Sequence, residues 1–196
     1  MIAFVRGHFA TKTPANVVVD VNGVGYDLQI SFNTYSVILD KENGLLYTYL
    51  HITENGQTLY GFADVIEKDL FLQLISVSGV GASTARMMLS GMKPEEITKA
   101  IVQGNTNLLM GIKGIGKKSA ERLIVELKDK LSKQLTEFSG LANTVLPHSS
   151  IQIDAVNALF ALGINRQAAE QAVSKVMQSD SNISLQDMIK NALKNL

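Results

Sequence analysis

Residues 111–120 read Gly-Ile-Lys-Gly-Ile-Gly-Lys-Lys-Ser-Ala, and residues 78–85 read Ser-Gly-Val-Gly-Ala-Ser-Thr-Ala. Both stretches contain a Gly-aliphatic-Gly sequence, and the copies are separated by a constant 35 residues, the distance from Gly79 to Gly114. Apolar positions outside the glycines repeat at the same offset, which indicates one structural unit used twice. The matching pairs are Leu74 with Leu109, Val77 with Ile112, Val80 with Ile115, Ala85 with Ala120, and Met88 with Leu123.

Each unit is predicted to be a helix, a tight hairpin and a second helix. Apolar residues such as Leu70, Phe71 and Leu74 recur on one helical face before the first hairpin. The glycines permit a turn with positive φ and a close approach to another molecule. The second helix begins directly after the hairpin, so its first amide groups lack intrahelical partners. Such a helix start, without bulky side chains, suits a phosphate oxygen.

The polar side chains around the hairpins favour a nucleic-acid site. The second copy supplies three lysines and an arginine, which strengthen phosphate binding beside the amides. The first copy supplies mainly hydroxyls, so it must rely more on its backbone amides. The simpler alternatives, two tight helical turns and a solvated basic helix face, stay open. The candidate DNA-binding residues are Ser78, Gly79, Val80, Gly81, Ser83, Thr84, Arg86, Lys113, Gly114, Ile115, Gly116, Lys117, Lys118 and Arg122.

The second copy is also one residue short of the phosphate-binding loop of nucleotide hydrolases, since Gly111–Lys118 spells G-x-x-x-x-G-K-K. That loop needs Ser or Thr directly after the lysine to hold magnesium, but Lys118 stands there and Ser119 comes one place late. The loop also follows a buried strand, whereas residues 105–110 begin like a capped helix. The repeat therefore explains the glycines better than a nucleotide site.

Composition narrows the function classes. The 196 residues, 46% of them hydrophobic, are enough for one to three domains with real cores. We find no apolar run of the ~20 residues that a membrane span needs and no signal-peptide pattern. The chain has no cysteine and only three scattered histidines, which excludes a disulfide framework and a zinc spacing. We expect a cytoplasmic protein without metal or cofactor.

The net charge of zero is unevenly distributed along the chain. Residues 1–62 carry three basic and five acidic side chains, residues 63–133 carry eleven and eight, and residues 134–196 carry four and five. Positive charge is therefore concentrated around the repeat. Because this basic patch is modest and has acidic neighbours, it favours selective rather than indiscriminate DNA binding.

Residues 1–62 are predicted to form a small β domain. Alternating apolar residues flank an Asn22-Gly23 turn, and further strands are expected around residues 1–9, 45–52 and 58–62. Five short strands suggest a closed barrel such as the oligonucleotide-binding (OB) fold. The tip between the last two strands, residues 53–57, has the chemistry of an ordinary solvated turn.

The rest of the chain is predicted to be helical around one linker. Residues 63–137 form the repeat domain, whose last helix runs from Lys117 to about Leu131. Residues 138–150 are predicted to be a flexible linker, because periodicity is lost and Gly and Pro appear. Residues 151–196 show three apolar helical stripes and no catalytic cluster. We expect a protein-docking module there; the alternative is a domain that merely packs on the others.

This ordered set resembles the RuvA family, the Holliday-junction branch-migration subunits of bacteria. The resemblance covers essentially the whole chain and is most specific at Gly23–Tyr26, Leu59–Phe62 and Gly114–Glu126. It implies a multidomain α+β fold with an N-terminal OB-fold β-barrel and a central all-α domain with tandem helix-hairpin-helix motifs. It also implies a small C-terminal three-helix (UBA-like) domain.

The resemblance further implies a function and partners. Family members form fourfold tetramers that hold a four-way DNA junction open and square, with the hairpins on the phosphates of the arms. One or two tetramers seat a RuvB hexameric ATPase, so a homotetramer or an octamer on DNA is implied, with residues 151–196 on the motor. A RuvC-type junction resolvase is a further implied partner. ATP is used by the motor, and no cofactor is expected on this chain.

The resemblance gives the tip of the barrel a role as an acidic pin, which repels phosphates at the crossover and helps to separate strands. Family members commonly carry two adjacent acids there, whereas here Glu54 is followed by Asn55. The pin would therefore have half the usual number of carboxylates. Ser83 also stands where close relatives can have a lysine.

The expected function is a non-enzymatic junction scaffold and motor adaptor that recognises shape more than base sequence. A general helix-hairpin-helix duplex binder is one alternative. A DNA-repair glycosylase is another, and it would need a catalytic residue after the hairpin. Asp129 is the only acid at a plausible distance, but it lies between Lys128 and Lys130 on an ordinary helix surface. A pure protein-interaction module is a third alternative. No catalytic residue is assigned.

Overall fold

The computed structural model describes residues 1–54, 56–140, 147–179 and 183–194. The chain divides into two compact units, Met1–Glu137 and Phe138–Leu196. Among the described residues, no helix has the length and apolar character needed to cross a membrane.

The first unit begins with a closed β-barrel. Its strands follow the order β1-β2-β3-β5-β4, and β4 pairs with β1 to close the barrel. The β3–β5 pair is parallel and the other pairs are antiparallel, as the predicted OB fold requires. Asn22 and Gly23 have φ values of 52° and 87°, which fit the predicted two-residue turn. The strands are β1 (Phe4–Lys12), β2 (Asn16–Val21), β3 (Val24–Ile30), β4 (Asn43–Thr53) and β5 (Gly56–Phe62).

The barrel contains a short helix, α1 (Phe32–Ile38), that the sequence analysis missed. Ser31 caps it, because the Ser31 hydroxyl accepts a hydrogen bond from the Thr34 amide at 3.0 Å. Only Thr34 and Ile38 are buried along its seven residues. So short a helix cannot display a repeating apolar face, which explains why periodicity gave no signal.

The helical part of the first unit packs around one core that includes every apolar pair of the sequence repeat. Pro94 is the first residue of the helix Pro94–Val102, and the Glu96 carboxylate accepts a hydrogen bond from the Lys93 amide at 2.9 Å. The helices are α2 (Val65–Ser76), α3 (Ala82–Gly91), α4 (Pro94–Val102), α5 (Thr106–Met110) and α6 (Lys117–Gly140).

The predicted end of α6 near Leu131 is wrong, because the helix continues to Gly140. The next helix begins at Pro147, so the described parts of the predicted linker, residues 138–140 and 147–150, are helical. Residues 133–137, Lys-Gln-Leu-Thr-Glu, are mostly good helix formers. Loss of the apolar stripe therefore did not mean loss of the helix. Residues 141–146 lie outside the described residues.

The second unit contains three helices within its described residues, α7 (Pro147–Ala161), α8 (Arg166–Ser179) and α9 (Leu185–Lys194). Their core includes Leu159, Val173 and Met188, which confirms the predicted three-helix pattern. Phe160 lies on α7 but outside this core, because it is 59% exposed.

Candidate nucleic-acid interface

The sequence repeat is also a repeat of backbone geometry. Hairpin 1 (residues 78–81) joins α2 to α3, and hairpin 2 (residues 113–116) joins α5 to α6. Each hairpin is closed by the same backbone hydrogen bonds at equivalent positions. These are Val80 N to Val77 O (3.0 Å) with Ile115 N to Ile112 O (3.1 Å), and Ala85 N to Gly81 O (2.9 Å) with Ala120 N to Gly116 O (3.0 Å).

The two hairpins pack against each other's helices in a reciprocal way. A Cβ added to Gly79 would lie 3.9 Å from Nη1 of Arg122, and one added to Gly114 would lie 3.3 Å from Cε of Met87. Met87 and Arg122 are themselves separated by the 35-residue repeat. Arg122 Nη1 also donates to the Ser78 carbonyl at 3.0 Å. This reciprocity indicates a local pseudo-twofold, a symmetry that a DNA duplex shares.

Gly81 and Gly116 leave the start of each second helix open. A Cβ added to either residue would meet nothing within 4 Å. Gly81 has φ −82° and ψ 165°, a conformation open to any residue, and it provides no side-chain cap to α3. Folding therefore does not require glycine at Gly81, and packing does not require it at Gly116. The missing side chains instead leave the amide groups accessible to an anion.

The predicted cations of hairpin 2 are exposed to solvent. Lys113, Lys117 and Lys118 are all exposed. Lys117 Nζ lies 4.0 Å from a carboxylate oxygen of Glu121, but both side chains are more than half exposed. Such a surface pair is weak and screened by salt, so Lys117 can still turn toward a phosphate.

The neutral residues of the candidate set divide by burial. Val80 and Ile115 are 4% and 5% exposed, so their side chains anchor the hairpins in the core. Only their backbones can face a ligand. Ser78 and Ser83 are exposed and Thr84 is half-buried at the start of α3. Hairpin 1 therefore presents hydroxyls and amides where hairpin 2 presents lysines.

Arg86 has different neighbours from the other candidate cations. Its Nη1 donates to the Ala15 carbonyl at 2.8 Å and to Oε1 of Gln29 at 2.9 Å, both in the barrel. This structural contact was not anticipated by the sequence, which grouped Arg86 with the DNA-binding residues.

Glu54 lies in the turn between β4 and β5, at the exposed end of the barrel. Thr53 and Gly56 pair across this turn, and Thr53 Oγ1 donates to the Gly56 carbonyl at 3.1 Å. Asn55, the second residue assigned to the acidic pin, lies outside the described residues.

A buried carboxylate between the barrel and α2 was missed by the sequence analysis. Glu67 is 2% exposed and accepts hydrogen bonds from the hydroxyls of Ser31 and Thr34, the latter at 2.6 Å. Burial raises the pKa of Glu67, and the two hydroxyl donors oppose that shift. The Asp64 carboxylate caps α2 by accepting from the Glu67 amide at 2.7 Å. The D-x-x-E spacing of residues 64–67 signals the start of α2, but it does not indicate that the Glu67 carboxylate is buried.

The closed barrel and the two reciprocal hairpins define a tandem helix-hairpin-helix protein of the nucleic-acid-binding class. The chain is 43% identical over 197 residues to a protein of Cytophaga hutchinsonii, covering 99% of each chain. It is also 43% identical over 201 residues to one of Bacteroides fragilis, covering all of both. Each relative is named Holliday junction branch migration complex subunit RuvA. The chain belongs to the RuvA family.

Three family models match the chain in order. The RuvA N terminal domain matches residues 1–61, and the SAM-like helix-hairpin-helix tandem matches residues 71–129. The RuvA C-terminal domain matches residues 151–196. The first match covers the barrel, the second covers both hairpins, and the third begins within α7.

Proposed function

We propose that this protein binds four-way (Holliday) DNA junctions, holds them open and square, and loads a RuvB-type hexameric ATPase for branch migration in recombination and repair. The observation that carries the proposal is the pair of equivalent, reciprocally packed hairpins in a chain of the RuvA family. Two such hairpins can hold phosphates on both strands of one arm. Because they present amides and cations rather than groups aimed at base edges, recognition is by shape.

The two hairpins contribute unequally to the affinity for DNA. Hairpin 2 combines open amides with Lys113, Lys117 and Lys118, so it supplies most of the salt-dependent affinity. Hairpin 1 uses its amides with the hydroxyls of Ser78 and Ser83. The Arg122 guanidinium spans the pair, because it is bonded to the carbonyl of Ser78.

The barrel tip acts at the centre of a homotetramer, where Glu54 from each subunit faces the crossover. Its exposed position at the end of the β4–β5 hairpin supports this role. Carboxylates there repel the phosphates of strands that exchange partners. Only one of the two pin positions is acidic in this chain. Strand separation by repulsion therefore depends on Glu54.

The protein acts as a non-catalytic subunit, and the motor partner hydrolyses ATP. The relatives' name, a subunit of a branch migration complex, supports this division of labour. The glycosylase alternative has no support, since Asp129 is exposed on α6 between two exposed lysines. A base-flipping enzyme instead encloses its catalytic group in a base-sized pocket.

The C-terminal unit is the site of motor docking in this proposal. Exposed apolar side chains on so small a unit, including Phe160 (59%) and Leu162 (65%), favour a protein-binding surface. A RuvC-type resolvase is a second partner that would act on the junction while it is held open. In this proposal, motor docking, branch migration and the action of the resolvase all take place on DNA in the cytoplasm.

A branch-migration assay tests the proposal. A labelled four-way junction is incubated with ATP and a RuvB-type hexameric motor, with and without this protein. We expect conversion of the junction to two duplexes only when both proteins are present. Leu162→Asp should lose motor stimulation while keeping junction binding, and Gln171→Asp, at an exposed position of α8, is the matched control. Conversion by the motor alone at the same rate would contradict the proposal.

A further inference from the structure

Gln29 and the four residues 31–34 are tied to the helical part by polar contacts; we call the segment 29–34 and its partners the joint. At the carboxyl end of α3, the Asn33 side-chain amide donates to the carbonyls of Leu89 at 2.6 Å and Met92 at 2.9 Å. Ser90 Oγ accepts from the Phe32 amide at 3.1 Å. Asn33 therefore satisfies carbonyls at the end of a helix, where intrahelical donors run out.

Arg86 forms the next part of the joint. Its Nη1 bonds to Gln29 of β3 and to Ala15 in the β1–β2 connection, which lies far from it in sequence. Its own carbonyl accepts from Ser90 Oγ at 2.8 Å, so the contacts of Arg86 and Ser90 are continuous. The equivalent position in the second repeat is Glu121, which is exposed on α6. The two copies of the repeat thus differ at the position where α3 meets the barrel.

Glu67, on α2, makes the remaining polar contacts of the joint. Its carboxylate oxygens accept from the Ser31 and Thr34 hydroxyls, and Thr34 Oγ1 accepts from the Ala63 amide at 2.9 Å. The segment 29–34 is therefore fixed from two helices at once. The two sets of bonds act on the end of β3 and on the residues directly after it.

The joint lies between the two features that meet DNA in the proposed function. Strand β3 pairs with β5, with Gln29 opposite Tyr60, and β5 starts at the tip that carries Glu54. Helix α3 starts at hairpin 1. Because the seven residues of β5 span about 23 Å, a rotation of about 10° at the joint would displace the tip by roughly 4 Å. A displacement of that size is comparable to the distance between a carboxylate and a phosphate that lie next to each other.

We propose that Arg86 and Asn33 are positioning residues that fix the barrel tip relative to hairpin 1 and thereby set the preference for four-way junctions over linear duplex. Neither side chain touches DNA in this role. A linear duplex engages only the hairpins, so its affinity does not depend on the joint. A four-way junction must engage the hairpins and the tip together, so the affinity for a junction depends on the joint. The inference rests on the proposed function.

The first test measures DNA affinity against salt for Asn33→Asp, Arg86→Gln and Arg86→Lys. Asn33→Asp replaces two donated bonds with repulsion between a carboxylate and carbonyls. We expect each variant to lower the junction-to-duplex affinity ratio about tenfold, with duplex affinity and its salt slope unchanged. Lys99→Gln, which removes an exposed charge from α4, is the matched control and should keep the ratio.

The Arg86→Lys variant distinguishes a positioning role of Arg86 from an effect of its positive charge. It keeps the charge but cannot reproduce the geometry of a guanidinium bonded to two oxygens, so a positioning role predicts that the ratio stays low. A phosphate contact predicts that lysine restores the ratio and that Arg86→Gln reduces the duplex salt slope by about 0.9. That pair of results would overturn the inference.

The second test needs no DNA. Because the chain has no cysteine, Gln57→Cys and Ser83→Cys place spin labels on β5 and α3 alone. Labelled chains are diluted with unlabelled protein so that distances within one subunit dominate. Adding Asn33→Asp or Arg86→Gln should shift or broaden the distance distribution, and an unchanged distribution in a folded variant would refute the inference. If the wild type does not prefer junctions over duplex, the proposed function is refuted instead. The distance between the two spin labels still tests the joint in that case.

Discussion

Glycines have two separate roles in each hairpin. Gly79 and Gly114 have φ values of 89° and 94°, a backbone region that side chains rarely enter, so they make the turn. Gly81 and Gly116 lie outside that region and face open space. In the proposed function their role is to leave the amides accessible, because a methyl group there would stand between an incoming phosphate and the first amides of α3 or α6.

Adding that methyl group should separate binding from folding. We expect Gly81→Ala together with Gly116→Ala to lower affinity for duplex and junction about tenfold, because the phosphates are held farther from the amides. The free energy of unfolding should change by no more than about 1 kcal/mol, and alanine can even stabilise where glycine is not required. Fluorescence anisotropy and urea unfolding measure the two quantities.

Gly91→Ala is the matched control, since a Cβ at Gly91 also meets nothing within 4 Å but Gly91 lies at the other end of α3. Full DNA affinity in the hairpin variant would show that access to the amides is unimportant.

Ser83 offers a gain-of-function test at the same scale. It is exposed at the position where the second repeat has Lys118. Ser83→Lys should tighten binding at low salt and steepen the slope of log affinity against log salt by about 0.9 per new phosphate contact. Titrations from low to moderate salt measure this slope. Thr98→Lys, on α4, controls for added charge, and an equal change in that variant would refute a local effect.

Single elements were predicted well where one face is buried. Alternation located β2 and β3, and Asn22-Gly23 specified their turn. Helix α1 was missed because seven residues cannot show a periodic face, and α6 was ended too early because helix propensity outlasts its apolar stripe. The contact between Glu67 and α1 could not be predicted, since its members are 33 and 36 residues apart.

Glu67 makes the stability of the contact between α1 and α2 sensitive to pH. Its pKa is raised by burial, so the folded protein binds this proton more tightly than the unfolded chain does. The resulting stabilisation is complete below the ordinary value of 4.5 and is lost as pH rises through the folded pKa. We therefore expect the wild type to lose stability relative to Glu67→Gln as pH rises from 4.5 toward neutrality.

Urea unfolding of both proteins at several pH values measures this difference. Asp69→Asn, which changes an exposed carboxylate on the same helix, serves as the control. A wild type that instead gains stability relative to Glu67→Gln as pH rises would show that the charged carboxylate is the favoured buried form.

At the scale of the molecule, local sequence determines the parts that are proposed to face DNA, and long-range contacts determine their arrangement. The hairpins were predictable because their residues are neighbours in the chain and occur twice. The joint was not, since Arg86 reaches Ala15 across 71 residues and Asn33 reaches Leu89 across 56. The tetramer, the motor contact and the role of Glu54 come from the family resemblance, because one chain holds only part of the proposed junction site.

The most direct measurement is a competition gel shift on a four-way junction and a linear duplex made from the same strands. Excess unlabelled duplex is added to each labelled DNA at fixed salt. We expect stable complexes on the junction alone, because only the junction engages hairpins and tip from several subunits at once. Lys117→Ala with Lys118→Ala should then weaken those complexes. Equal retention of both DNAs, or of neither, would contradict the account.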